Sequence, residues 1–114
     1  MMNMKMNINM KVLDKEEIVL GSWYKVGDLA NVSYRELIEV FGEPTYNPED
    51  SGDGKVNYEW VIFHDDKIFT IYDWKTYDVD YTEYELDTWS IGGNDNPSEF
   101  KKLVYKKIND YNTI

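Results

Sequence analysis

A chain of 114 residues is long enough for one domain, and 42% hydrophobic residues are enough to build its core. It contains no cysteine, which excludes disulfides, thiolate metal sites and a cysteine nucleophile, and fits a reducing compartment. Acids outnumber bases 22 to 12, for a net charge of -10, which argues against a general affinity for nucleic acid or anionic membrane.

Three uses of that charge remain open. They are plain solubility (the commonest), a basic protein partner, and a surface that mimics DNA. The ring content narrows the question: 4 Trp, 10 Tyr and 4 Phe exceed what a two-layer core of this size needs. Some rings must reach the surface, where they often mark recognition. No stretch approaches the roughly 18 apolar residues of a membrane span. The opening MMNMKMNINMK has no apolar core of the kind a signal peptide needs.

Met4, Met6, Ile8, Met10 and Val12 alternate with Lys5, Asn7, Asn9 and Lys11, so a half-buried strand is expected over Met4–Val12. A second strand is expected within Ile18–Val26, with Gly27-Asp28 breaking it. Ser33-Tyr34-Arg35-Glu36 then has the form of a capping box. Tyr34, Leu37, Ile38 and Phe41 follow at helical spacing. Gly42 and Pro44 end the helix.

Residues 45–54, TYNPEDSGDG, read as a polar loop. Val56–Phe63 and Ile68–Lys75 then form the two arms of a hairpin. A turn at Asp65-Asp66 sets Trp60 opposite Ile71, Ile62 opposite Phe69, and Tyr58 opposite Asp73. Trp60, Ile62, Phe69 and Ile71 make the core face. Asn57, Glu59, Thr70, Tyr72 and Trp74 point the other way, as in an antiparallel sheet. The run TYDVDYTEYELDT over 76–88 is acidic and tyrosine-rich, followed by a strand over Leu86–Ile91 that ends at Gly92-Gly93. A last helix opens with Asn96 as cap, Pro97 at the first position and Glu99 at the third. Its apolar stripe is Phe100, Leu103, Val104, Ile108 and Tyr111, with Lys101, Lys102, Lys106 and Lys107 on or beside the polar face. The expected fold is therefore α+β: a single domain, 1–114, with an antiparallel sheet of four or five strands, one short helix and one longer C-terminal helix.

Catalysis has little to draw on. His64 is the only histidine and sits beside the turn. With Asp65 and Asp66 it could be a metal fragment, but a solvated turn explains it better. Arg35, the only arginine, is placed for an ion pair with Glu39 one helical turn on. No nucleophile-elbow motif is present. The loop Asp50-Ser51-Gly52-Asp53-Gly54 lacks the spacing of a calcium loop. The expectation is a binding protein with no enzymatic activity, no cofactor and no metal.

Two surfaces could bind. The run Asp73, Asp78, Asp80, Glu83, Glu85, Asp87 would, if extended, project acids about 6.6 Å apart on one face. That is sparser than duplex phosphates, which fall about every 3.4 Å per strand. DNA mimicry would need acids from a neighbouring segment, and an edge protected by charge is the simpler account. The outer face of the hairpin is the better candidate. Tyr72 and Trp74 with Asn57 and Glu59 suit a flat polar ligand or a protein hot spot, unless a second layer buries them. Trp89 and Gly92-Gly93 would lie close by.

Four pieces, VSYRELIEVFGEPT, DGKVNYEWVIF, IFTIYDWK and WSIGG, resemble a family of small, uncharacterised tailed-phage accessory proteins over Val32 to Gly93. The resemblance implies a phage or prophage product acting in the cytoplasm of the host cell, and a role in countering host defence. Two modes follow. In the first, the protein sequesters a small nucleotide immune signal. Tyr72, Trp74 and Trp89 would form the aromatic face, Glu59 and Asn57 would read the base edge, and Lys75 with Gly92 and Gly93 would meet phosphate. A homo-oligomer could add the basic groups this needs. In the second, the protein is an acidic inhibitor of a host defence protein, DNA mimicry included. Neither mode involves direct contact with nucleic acid or membrane.

Overall fold

Asp65 and Asp66 both adopt left-handed backbone angles (φ 54° and 63°), the geometry that closes a two-residue hairpin with the twist of its strands. In the computed structural model, which describes residues 10–18, 23–52 and 54–113, this turn joins strands β3 (Glu59–His64) and β4 (Lys67–Tyr72). The register follows: Trp60 pairs with Ile71, Ile62 with Phe69, and Glu59 with Tyr72.

Three more strands complete an antiparallel sheet: β1 (Lys11–Val12), β2 (Tyr24–Ala30) and β5 (Thr88–Gly93), in the order β1-β3-β4-β5-β2. Helices α1 (Tyr34–Phe41) and α3 (Ser98–Asn112) cover one face. The architecture is α+β, and the last helix is the longest.

That covered face holds the main core. Leu29, Trp60, Ile62, Phe69, Ile71, Trp89 and Ile91 meet Leu37, Phe100, Val104 and Ile108. Trp60 and Trp89 pack edge to face at 5.7 Å, and Phe69 stacks on Phe100 at 4.5 Å. Each indole N–H finds a carbonyl, Gly42 for Trp60 and Val32 for Trp89, so both rings are buried at no polar cost. The capping box on α1 forms as the sequence implies. Ser33 Oγ accepts from Glu36 N at 3.1 Å, and Ser33 N donates to the Glu36 carboxylate at 2.9 Å.

The other face is partly covered as well. Leu13, Ile18 and Trp23 share an apolar cavity with Val61, Phe63 and Ile68, and Val61 and Thr70 are buried. The outer edge of β3 is closed piecemeal. Leu13 N donates to Val61 O, Val61 N to Thr45 Oγ1, and Tyr46 bridges Glu59.

Several expectations change. Of the strand expected over Met4–Val12, Lys11–Val12 is seen, and residues 4–9 lie outside the described residues. The second strand is seen from Tyr24 and does not break at Gly27-Asp28; residues 19–22 of the expected range lie outside the described ones. A bulge between Lys25 and Gly27 shifts the register, and pairing continues to Ala30. Gly27 is there for close approach, since a Cβ would sit 3.2 Å from Pro97 Cγ. β5 starts at Thr88, two residues later than expected, and ends at the glycine pair, with both Gly92 and Gly93 still paired in the strand.

The acidic run is not extended. Its centre forms helix α2 (Val79–Tyr84), opened by Asp78, whose carboxylate accepts from Asp80 N at 3.0 Å and Tyr81 N at 3.4 Å. The loop over 45–54 contains one 3-10 turn, Pro48–Asp50. The C-terminal helix begins at Ser98, one residue later than expected, where Asn96 Oδ1 accepts from Ser98 N. No helix among the described residues is long and apolar enough to cross a membrane.

Candidate functional site

Asp73, immediately after β4, is fully buried. Its Oδ1 accepts from the backbone N–H of Asn57 (2.8 Å) and of Tyr58 (2.9 Å). Its Oδ2 accepts from Asn57 Nδ2 (3.0 Å), Thr76 Oγ1 (3.0 Å) and Thr82 Oγ1 (2.8 Å). These donors are all uncharged, so among the described residues the carboxylate is held by dipoles. Hydrogen bonds of this charge-assisted kind are about twice as strong as neutral ones. They tie three stretches of chain together: the approach to β3, the turn after β4, and α2.

The turn so held is strained. Lys75 and Tyr77 both take left-handed angles, φ 57° and 58°, which cost non-glycine residues on the order of 1 kcal/mol or more each. Between them Thr76 faces inward to Asp73 and Thr82, and Lys75 N donates to Lys55 O at 2.7 Å. Alternating in this way throws the flanking side chains outward. Trp74 is 50% exposed and Tyr77 61%, and on the adjoining helix Tyr81 is 44% and Tyr84 80% exposed.

The four rings sit among carboxylates. Asp80, Glu85 and Asp87 are exposed, Asp78 caps the helix, and Glu83 is half-buried and accepts from the Tyr58 hydroxyl. Burial and that carboxylate push the Tyr58 phenol far up, so it stays a donor at any ordinary pH. One cation is present within the group: Lys75 Nζ lies 5.5 Å from the centre of the Trp74 ring. Tyr72 meets the same ring edge-on at 6.4 Å. Trp74, Lys75, Thr76, Asp78, Tyr81 and Leu86 line one open cavity.

The eight residues expected to form one site divide. Tyr72, Trp74 and Lys75 do come together. Glu59 stands beside Tyr72 across the strands, on a separate cavity with Tyr46, Asn47, Asp50, Ser51 and Val56. Burial pushes its carboxyl up; the Thr70 hydroxyl opposes that shift and the charge of Asp73 adds to it. Asn57 is not available to a ligand, because it is buried and its amide is bonded to Asp73 and Thr76.

Trp89 is 1% exposed and belongs to the core, with its N–H on Val32 O. Gly92 pairs with Thr70 on one side and Lys25 on the other, and Gly93 with Phe69 and Tyr24, so neither offers a loop N–H to phosphate. Gly92 is there for packing: a Cβ would fall 2.6 Å from Thr70 Oγ1.

Sequence reasoning missed Asp73 as an organiser, and Tyr77, Tyr81 and Tyr84 as surface. The excess of tyrosine signalled that such a surface existed. Weighing 76–88 only as an extended chain hid which rings would gather. Among the described residues, no group of three or more His, Asp or Glu side chains is arranged to hold a metal. In comparisons with known proteins, no family model matches the chain, and no curated protein or solved structure is significantly similar to it.

Proposed function

We propose that this chain is a non-catalytic binding protein, and that its working surface is the aromatic, acidic segment from Trp74 to Glu85, which receives a basic segment of a partner protein. One observation carries the reading. Four exposed rings are concentrated on a segment that a fully buried carboxylate locks into a strained shape. Strain persists where the surroundings over-determine it, and it concentrates at functional positions. Rings give contact area at low entropic cost, and flanking acids select and steer a basic partner. The tailed-phage resemblance supplies the setting, a host defence protein as target.

The test is a fluorescence titration with an arginine- and lysine-rich peptide, using an acidic peptide as control. Wild type binds the basic peptide, and binding weakens as salt rises. Trp74→Ala with Tyr81→Ala, and separately Asp80→Asn with Glu85→Gln, weaken it without unfolding the domain. Unchanged binding in both variants, or none in wild type, refutes the proposal.

Sequestration of a nucleotide is the second reading. Its support is the cavity that brings the Trp74 ring, the Lys75 ammonium and the Thr76 residue together. Its difficulty is Asp78 in the same lining and the net charge of -10. A nucleotide that raises the melting temperature by mass action would favour it over the first.

A further inference from the structure

The face of Trp74 is already occupied by a cation. Lys75 Nζ sits 5.5 Å from the ring centre, within the range of a cation–π contact. The backbone at Lys75 is fixed, with φ 57° and its N–H bonded to Lys55 O at 2.7 Å, while its long side chain is free to turn over the neighbouring ring or away from it. Trp74 is nevertheless half exposed, and the acids Asp78 and Asp80 stand on the adjoining helix start. A ring that holds an ammonium of its own chain, with carboxylates on the adjoining helix start, has the chemistry to hold one from outside. On that side of the ring, the two cannot be held at once.

Resting on the reading above, we propose that Lys75 is an internal competitor: its ammonium fills the place that a lysine or arginine side chain of the partner takes on Trp74, and it must swing away for docking. The lysine then sets specificity. It lowers affinity for any single weak cation and leaves the surface to partners that bring several basic groups, which engage the neighbouring rings and acids as well.

The experiment is a double-mutant cycle read with the basic peptide. Lys75→Gln uncovers the ring and raises affinity about two- to fivefold, the size of an exposed cation–π contact. Lys75→Arg, which keeps a cation over the ring, leaves affinity unchanged. In a Trp74→Leu background Lys75→Gln brings little gain, because there is no ring to uncover.

If the gain is as large in the Trp74→Leu background, it reflects net charge alone and the competitor role is wrong. If Lys75→Gln leaves affinity unchanged or lowers it while wild type still binds, the inference fails and the docking surface stands. If neither wild type nor Lys75→Gln binds the peptide, both fail. A nucleotide bound by wild type and lost in Lys75→Gln makes Lys75 a ligand and also overturns the competitor role.

Discussion

Asp73 is the residue whose loss should be felt most widely. Replacing it with alanine leaves the backbone N–H groups of Asn57 and Tyr58 and the amide of Asn57 without their acceptor in a buried setting. Each unsatisfied buried donor costs about 1–3 kcal/mol. The hydroxyls of Thr76 and Thr82 can still bond each other across their 2.8 Å separation, so they add less. The expected cost of Asp73→Ala is therefore about 3–9 kcal/mol, a large part of the 5–15 kcal/mol typical of a domain.

Asp73→Asn keeps the shape and one acceptor oxygen. Its new NH2 meets Asn57 Nδ2, which must flip to offer its oxygen instead. About 1.5–3 kcal/mol is expected there, the worth of one charge-assisted bond. Urea melts followed by circular dichroism and by tryptophan fluorescence give both numbers. A cost below about 1 kcal/mol for Asp73→Ala would show that the carboxylate is not the clamp described here. An asparagine variant as damaging as the alanine one would mean that charge, and not shape, holds the segment.

Trp60→Ala empties the centre of the core and should cost about 3–5 kcal/mol, whereas Trp74→Ala should change stability little; paired urea melts check this, and the reverse result would refute the register set by Asp65-Asp66. Glu59 has a raised carboxyl pKa, so the folded state holds its proton more tightly than the unfolded chain does. Its contribution to stability is full below the ordinary value of 4.5 and is lost as pH rises through the higher folded value. Glu59→Gln should therefore be more stable than wild type at neutral pH, with the gap closing below pH 4.5; melts across pH measure it, and a gap that does not depend on pH would contradict it.

Local chemistry made part of this molecule legible from its residues. Ser33 and Glu36 sit three apart and cap α1 whatever surrounds them. Asp65-Asp66 between two alternating arms leaves one register for the hairpin, and with it the burial of Trp60 and Ile71. The α+β class and the partnership of Tyr72 with Trp74 follow from that same period of two.

Tertiary structure decided the rest. The pairs of acids two apart between Asp78 and Asp87 suit an extended chain, yet Thr82 reaches the buried Asp73 from a helix. A buried polar group must find its partner, and that requirement outweighs local preference. Nothing local marks Lys75 and Tyr77 for left-handed backbone, because the strain is sustained by bonds to residues some twenty positions away in sequence, such as Lys55 and Asn57. Trp89 and Trp74 look alike in the sequence. One is enclosed because two helices pack over its face of the sheet, and the other is exposed because the Asp73 clamp turns the chain outward beyond the end of β4.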